Sequence, residues 1–368
     1  MRAEALATLL VVLTLASGTP AFSRTSPYYF YDSQTRGSES LFNPISRLIN
    51  SGYFTVQVDN RTNRVFEVPY DIGIRNVFGN LSHPAARVTQ YGWNRFITHE
   101  LVPTSLRLRD AQWAPNYFGH LLGGGMVYRK TQEWYRSQRY PHPTALAVGT
   151  HLAGAVLNEI VENGGYRGVN VDPIADLYIF EPLGIVLFSS DAVAKFFSES
   201  VNMSYWPMQP AYDPFRKTLE NGGHGFALKC PLPFSGKMKM FQYYGLQALT
   251  GLSHEAMGGA EVSVGVGFAV KDLVETDGRH DERTMTAAVT RAMGVFYERD
   301  DSLLMSLLLS AAKENRMRLN LYPGWVKFGN FAPGVWCAVG EGNRLRLGLN
   351  LSKIPVGVGM SASGPVFR

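Results

Sequence analysis

The second half of the chain alternates apolar and polar residues at almost every position. In residues 262–270 each even-numbered residue is apolar and each odd-numbered one is small or polar, and residues 344–351 and 356–362 repeat the pattern. A period of two residues places all apolar side chains on one face of a β-strand. Eight or nine such segments follow one another from residue 224, with turn-forming residues at 299–302 and 340–343. The pattern predicts a mainly β protein built as an antiparallel meander.

Strand length and the polar face favour a membrane protein over a soluble one. Several segments have nine or more residues, whereas strands in soluble proteins average about five or six and outer-membrane strands need about 9–11. The face opposite the apolar one carries small or polar residues, including Arg316, Arg318, Asn320, Arg344 and Arg346. An apolar exterior around a polar interior is the arrangement of membrane barrels. We therefore predict that the meander closes into an outer-membrane-type β-barrel in contact with outer-membrane lipid.

The first residues have the layout of a secretory signal peptide. Arg2 precedes an apolar stretch at residues 6–16, and small residues end at Ala21. This order of segments is typical of a cleaved leader, and the apolar stretch is too short to span a bilayer. We expect residues 1–21 to be removed and the mature chain to reach the outer membrane, with the periplasm as the alternative location.

Charge and cysteine content exclude some classes of partner. The net charge of +5 comes from scattered basic residues without a run of five or more, so no nucleic-acid partner is predicted. Protein partners are not specified by the sequence. Cys230 and Cys337 lie on the apolar phase of their strands. They are interpreted as small apolar side chains, and whether they form a disulfide stays open.

A change of period divides the chain into segments. Residues 22–105 are predicted as N-terminal strands and loops, with a hairpin at residues 53–68. Residues 106–200 have helical periodicity and form an inserted helical subdomain, which we expect in the lumen or at the periplasmic mouth of the barrel. Residues 201–223 are a linker rich in proline and aromatics, and residues 224–368 form the meander.

The helical subdomain carries the polar residues that are candidates for chemistry. On the second predicted helix His151, Asn158 and Glu162 fall close to one line, because their spacing brings them to the same helix face. The six candidate site residues are His120, His151, Glu159, Glu162, Asp172 and Asp176. Imidazole and carboxylate groups together bind a divalent metal or hold an acid and a base at different pKa values. The sequence specifies neither the metal nor any other cofactor.

A structural interpretation of the same residues remains open. In it Asp172 caps the third helix, the glutamates pair with arginines or face water, and His151 is a hydrogen-bonded interior residue. No HExxH, GxSxG or phosphate-loop pattern is present in the sequence. The glycines at 123–125 are interpreted as a site of close packing and not as a ligand cradle.

The order of short motifs resembles an uncharacterised Gram-negative family known only as a domain of unknown function. The motifs are His120-x-x-Gly123, Tyr128-Arg129, Asn158-Glu159-x-x-Glu162, Asp172-x-x-x-Asp176, Pro182-x-Gly184, Gln209 and Asn221-x-Gly223, followed by a β-meander. The resemblance covers roughly residues 106–270, and Tyr140-Pro141-His142-Pro143 departs from it. It implies a helical segment before outer-membrane strands, and it implies no activity.

These observations lead to three functional hypotheses. The first is a non-enzymatic outer-membrane protein with a structural or transport role in the cell envelope. The second is an envelope enzyme, a hydrolase or transferase acting on a lipid or envelope substrate, that uses the six polar residues. The third is a soluble periplasmic β-sandwich that binds a ligand.

Overall fold

The computed structural model describes residues 27–58, 63–103, 112–165, 168–277, 283–312, 315–329 and 331–362. The predicted signal peptide at residues 1–21 lies outside them. Within these ranges the chain forms helices up to residue 200 and strands after it. The predicted mainly β character is confirmed, with a sheet of 13 strands that is antiparallel except at one pairing.

The strands range in length from three residues to 18. Their bounds are β1 Met203–Tyr205, β2 Ala211–Asp213, β3 Thr218–Glu220, β4 Gly225–Pro231, β5 Met238–Gly245, β6 Gln247–Glu255, β7 Ala260–Asp277, β8 Arg283–Arg299, β9 Ser302–Ser310, β10 Met317–Leu321, β11 Gly334–Val339, β12 Leu345–Asn350 and β13 Gly357–Ala362. From β4 to β13 each strand pairs with the next in sequence, as a meander requires. The turns predicted at 299–302 and 340–343 both join neighbouring strands, and Asp300 and Asp301 adopt the positive φ that a tight hairpin needs.

The sheet does not close into a barrel, so the predicted closure is wrong for the described residues. The sheet ends at β1, which pairs with β4, and at β3, which pairs with β2. Residues 203–213 border both sides of the meander, because β1 lies beside β4 and β2 lies in parallel beside β13. Pro207 and Pro210 lie between β1 and β2 and have no N–H to donate, which interrupts the ladder there.

The N-terminal region forms helices where strands were predicted. Its helices are Ser38–Leu41, Pro44–Gly52, Thr55–Val58, Tyr70–Leu81, Pro84–Tyr91, Trp93–Phe96 and Ile97–Leu101. The hairpin expected at residues 53–68 is therefore wrong in its described part, where Thr55–Val58 is a helical turn. Asn43 and Ser46 form a capping box that starts the Pro44–Gly52 helix. This local helix signal precedes the alternating residues that favoured a hairpin at 53–68.

The predicted helical subdomain is confirmed as helical. Its helices are Trp113–Gly124, Gly125–Ser137, Pro143–Glu162, Asn163–Gly165, Asp172–Ala175, Asp176–Phe180, Glu181–Ser189, Asp191–Lys195 and Phe196–Ser200. The Pro143–Glu162 helix is called the long helix below. Among the described residues the stretch Pro143–Gly165 is long and apolar enough to cross a membrane, and two bent segments from residue 172 to 200 pass the same test together. The long helix packs most extensively against the Pro44–Gly52, Gly125–Ser137 and Tyr70–Leu81 helices, so we treat it as part of the protein core.

The helices between residues 112 and 200 pack against the outer face of the first strands, whereas Leu41 of the N-terminal Ser38–Leu41 helix packs in the core on the inner side of the sheet. Phe226, Leu228 and Cys230 of β4 belong to the same apolar core as Met126 and Phe188 of the helices. Tyr244 of β5 stacks on Phe118, with ring centroids 4.6 Å apart. The expectation of helices filling the lumen is therefore wrong for this part of the structure. A second core, around Trp206, Phe241 and Phe296, fills the inner side of the sheet.

Candidate functional site

Three irregular helical turns and the long helix meet at one buried point. The segments Ile97–Leu101, Trp113–Gly124 and Asp176–Phe180 are π-helical and carry Glu100, His120 and Asp176, respectively. A π-helical turn widens the backbone by one residue, and such turns often occur at functional sites because they redirect a side chain. The long helix contributes Glu159 and His151, both 1% exposed.

Glycines allow the helices to approach closely enough for these side chains to meet. A Cβ atom on Gly184 would lie 2.8 Å from the carbonyl oxygen of Leu121 and 3.2 Å from that of His120. A Cβ on Gly125 would lie 2.7 Å from the carbonyl of Gly184. These distances confirm the interpretation of the 123–125 glycines as a site of close packing. The helix that starts at Glu181 is thereby held directly against the segment that carries His120.

His120 lies between two carboxylates. Its Nδ1 atom is 2.8 Å from Glu181 Oε1 and its Nε2 atom is 3.3 Å from Asp176 Oδ2. Burial lowers the pKa of His120, but the hydrogen bond and charge of Glu181 and the neighbouring carboxylates outweigh it and raise this pKa to about 9. These carboxylates therefore favour the protonated form of His120.

Arg47 and His151 position Glu181 through a chain of contacts. An Arg47 NH2 group donates to His151 Nδ1 at 2.6 Å. Because arginine can only donate, His151 Nδ1 accepts and its proton resides on Nε2, which contacts Glu181 Oε2. Burial lowers the pKa of His151 below its usual value, against the opposing charge of Glu181. Burial would raise the pKa of Glu181, but the two histidines outweigh it and hold this pKa well below its usual range.

Beyond His120 the site is rich in carboxylates. Burial and then the charge of neighbouring acids raise the pKa values of Glu159 and Asp176 well above their usual range. Burial, followed by the charge of Asp172, raises the pKa of Glu100 to about 8. Burial also raises the pKa of Asp172, against the opposing charge of His120. So many carboxyl groups cannot all be ionised together in a dry site, and they must share protons or bind a cation.

The structure brings most of the six predicted residues together. His120, Glu159 and Asp176 each offer a ligand atom, and these three atoms lie within 4.8 Å of one another, a grouping able to hold a metal ion. His151 reaches the same centre through Glu181. Asp172 interacts with this centre electrostatically and does not cap its helix, since Val171 is the N-cap and no side chain caps the helix. The expected cap at Asp172 is therefore wrong.

Glu162 points to a different set of partners. Thr55 Oγ1 donates to Glu162 Oε2 at 3.3 Å, and Asn158 Nδ2 lies 3.4 Å from the same oxygen. Its charge still acts on Glu159 and Asp176. The three residues that the sequence places on one face of the long helix therefore have different partners. His151 contacts Glu181, whereas Asn158 and Glu162 contact Thr55 of the Thr55–Val58 turn.

Three residues of the site were not among the predicted ones. Glu181 precedes Pro182, a pair of residues typical of a helix start, and a helix does begin there. Arg47 lies in a region predicted to form strands, and its long-range contact with His151 has no local sequence signal. Glu100 sits on a π-helical turn; Asn116 Nδ2 donates to its carbonyl at 3.0 Å. For Glu181 the signal was present, since an acidic residue in a predicted apolar helix calls for a buried partner.

Comparison with known proteins adds no further constraint on this site. A scan against protein-family models finds no match, and searches of curated proteins and of solved structures find no significant similarity. The resemblance to an uncharacterised Gram-negative family therefore stays a prediction.

Proposed function

We propose that the protein is a bacterial outer-membrane protein whose sheet faces lipid along β6 to β13. The observation that carries the proposal is the outer face of β7 to β13. Val264 is 45% exposed, Val266 63% and Val358 65%, although apolar side chains normally avoid this degree of exposure when they lie side by side. The outward residues with large exposure across these strands are Val262, Val264, Val266, Met293, Val335, Leu347, Leu349, Val358 and Met360.

The inner face of the same sheet carries the charged residues. Lys229 is fully buried and contacts Glu298, and its Nζ atom is 3.2 Å from Asp301 and 3.3 Å from Glu261. Arg346 NH1 is 3.1 Å from Glu220 Oε2 on the same side. Apolar side chains are exposed on the outer face, while paired charges are buried on the inner face beside the apolar core around Trp206. An exposed apolar outer face is expected for a sheet that has lipid as its outer solvent.

The open ends of the sheet are shielded by protein. The backbone N–H of Leu219 in β3 donates to Asn63 O, and Gln57 donates to the carbonyl of Leu219. At the other end Val201 O accepts from Lys229 N of β4, which extends the β1–β4 ladder, and the helices cover the outer face of β4. Backbone edges inside a membrane must be satisfied by protein. The helical region provides these partners for the ends of a sheet that is not closed.

The inner side of the sheet is packed, which favours a structural role over an open channel. Trp206, Trp336, Lys229 and Arg318 are among the largest side chains of the described residues that are at most 2% exposed. All described strands belong to one sheet, which argues against the soluble two-sheet sandwich. The proposed role is that of an envelope protein anchored by its sheet and carrying the helical region at its side.

A second candidate function is an envelope enzyme. The observation that favours it is the convergence of His120, His151, Glu159 and Asp176 with Glu181 in one buried centre. Substrate class is open between a lipid and another envelope component. If a Glu159→Ala variant assembles its sheet normally but shows the same envelope defect as a deletion of the protein, the enzyme is favoured. A wild-type phenotype from His151→Ala, Glu159→Ala and Asp176→Ala would remove this candidate and leave the structural role.

Fractionation and gel migration test the membrane proposal directly. The chain should sediment with outer membranes, require detergent for extraction, and migrate differently in detergent gels before and after boiling. Recovery of folded protein from the soluble periplasm without detergent would contradict the proposal. A mutant with Asp at Val264 and at Leu347 serves as a matched control, because it should retain the leader but lose membrane assembly.

A further inference from the structure

We propose that His120, Glu159 and Asp176 bind one divalent transition-metal ion at the buried junction of the helices. The proposal does not depend on where the sheet resides, because all three ligands belong to the helical region. Their ligand atoms lie within 4.8 Å of one another. A zinc-like ion has ligands about 2.0–2.2 Å away, so small side-chain rotations would complete the coordination of an ion placed between them.

An unsatisfied oxygen points to a ligand at this position. Asp176 is 2% exposed, and its Oδ1 atom has no hydrogen-bond partner within the part of the chain that the structure describes. Buried carboxylate oxygens are almost always hydrogen-bonded or bound to a cation, because an unpaired one loses its hydration without compensation. The Oδ2 atom of the same carboxylate faces His120 Nε2. Asp176 therefore directs its carboxylate to the position that the ion would occupy.

The imidazole of His120 is already oriented as a ligand. Its Nδ1–H donates to Glu181 Oε1 at 2.8 Å, which leaves Nε2 to face Glu159 and Asp176. Metal-binding histidines usually donate their second ring N–H to a carboxylate in this manner, which fixes the ring and makes it a stronger base. Arg47 and His151 hold Glu181 in turn. Glu181 is thus a positioning residue behind the ligands.

The number of carboxyl groups at the junction also favours a bound cation. Glu100, Glu159, Asp172 and Asp176 lie close enough to influence one another electrostatically. Arg47 is on the far side of His151 and Glu181, so it does not reach the three ligands through any contact found among the described residues. Several acids that face each other in a dry site are stabilised strongly by a divalent ion.

The donor atoms decide which class of ion is expected. One imidazole nitrogen with two carboxylates suits Zn²⁺, Mn²⁺ or Fe²⁺, whereas Ca²⁺ takes six to eight oxygen ligands. Water can complete the coordination, as in sites that keep an open position. Zn²⁺ and the spectroscopic probe Co²⁺ are therefore the ions used in the test.

Metal titration of the purified full chain tests the proposal. After chelator treatment the wild-type protein should bind one equivalent of Co²⁺, with visible absorption that Zn²⁺ displaces. Glu181→Gln should weaken binding by about 10–100-fold, as loss of a supporting hydrogen bond does. His120→Ala, Glu159→Gln and Asp176→Asn should each weaken it further. His83→Ala and Glu67→Gln, exposed residues far from the junction in sequence, are matched controls and should bind as wild type does.

X-ray absorption spectroscopy is done on the Zn²⁺-loaded wild-type protein alone, so misfolding of a variant cannot affect the result. It should show one imidazole and otherwise oxygen ligands. Binding of less than one equivalent by the wild-type protein, or a zinc shell without imidazole, would overturn the proposal. Equal affinity of the wild type and a well-folded His120→Ala/Asp176→Asn double variant would overturn it as well.

Discussion

Glu181 Oε1 accepts a hydrogen bond from His120 Nδ1 at 2.8 Å, although the two residues are 61 positions apart in the sequence. This contact joins the π-helical Trp113–Gly124 segment to the helix that begins at Glu181. It turns the other ring nitrogen of His120 toward Glu159 and Asp176. The geometry of the whole site therefore depends on how closely these two helical segments approach.

The first prediction concerns that approach. Gly184→Ala places a Cβ 3.2 Å from the carbonyl oxygen of His120 and 2.8 Å from that of Leu121, so the helices must separate. We expect a loss of about 1–3 kcal/mol in the free energy of unfolding, together with weaker Co²⁺ binding. Gly149→Ala on the long helix is the control, since no atom lies within 4 Å of its Cβ position. It should be neutral or stabilise by up to about 1 kcal/mol. Equal effects of the two variants in chemical denaturation would argue against the packing account.

The second prediction concerns the buried charges of the inner face. Lys229→Met leaves Glu298, 1% exposed, without its main cationic partner. Removing one member of a buried ion pair typically costs about 3–5 kcal/mol, because the remaining charge stays desolvated. Denaturant unfolding should show this loss, and the Lys229→Met/Glu298→Gln double variant should recover much of it. A double variant as unstable as the single one would mean that the two residues do not act as a pair.

The third prediction concerns pH. Burial and the charge of Asp172 raise the pKa of Glu100 to about 8 in the folded protein, against about 4.3 in an unfolded chain. Between these two pH values the folded state keeps the proton of Glu100, whereas the unfolded chain loses it. The proton therefore stabilises the folded state fully below about pH 4.3, and this stabilisation is lost as the pH rises toward 8. The slope from one such group is at most about 1.4 kcal/mol per pH unit.

Glu100→Gln tests this dependence because the amide does not titrate. In chelator-treated protein the free energy of unfolding of the wild type should fall more steeply between pH 5 and 8 than that of the variant. Glu67→Gln, at an exposed position, should leave the slope unchanged. Parallel pH profiles for wild type and Glu100→Gln would contradict the assignment of a raised pKa to this group.

The fourth prediction compares two outward positions of the sheet. Val264 lies near the middle of the stretch of β7 that pairs with β6, and His254 is the residue before the last of β6; both side chains are exposed. In lipid, Arg at Val264 should cost about 2–4 kcal/mol, and Arg at His254 about 0–1 kcal/mol, because the cost falls toward the interface. Urea unfolding in lipid vesicles measures both. In water both changes would be within about 0.5 kcal/mol, so equal small effects would argue against a lipid-facing surface.

Alternation in the sequence was sufficient to predict the sheet and its two faces. Val264 and Leu347 point outward and Gly359 is buried, as the two-residue period requires. The boundary between β5 and β6, at the single residue Leu246, has no such signal. The turn there lacks the Asn-Gly or Asp-Gly pair of a tight hairpin, so the sequence does not mark where one strand ends and the next begins.

Local sequence patterns could predict neither whether the sheet closes nor that the N-terminal region is helical. Whether two ends of a sheet meet depends on long-range pairing, and here Pro207 and Pro210 interrupt the segment that borders both ends. In the apolar run at 183–188, Leu183 and Val186 are exposed while Gly184 and Phe188 face the core. A run that is apolar all round does not indicate which side contacts protein.

The candidate site was predictable in part. The polar residues of the long helix identified His151 and Glu159 because carboxylates and imidazoles are rare on an otherwise apolar helix. Arg47 and Glu181 depend on contacts over about a hundred and about thirty to sixty residues, respectively. Such contacts are set by the tertiary packing of helices, for which a single sequence has no local signal.

Spin labels on the sheet test the central claim most directly. With Cys230 and Cys337 replaced, a nitroxide at Val264→Cys or Leu347→Cys should collide more often with oxygen, which partitions into lipid, than with a water-soluble nickel complex. A label at Met257→Cys, in the exposed β6–β7 turn, should show the opposite preference. The account predicts this contrast in protein reconstituted into vesicles. Preferential collision of the Val264 and Leu347 labels with the nickel complex would contradict it, because that outer face would then be in water.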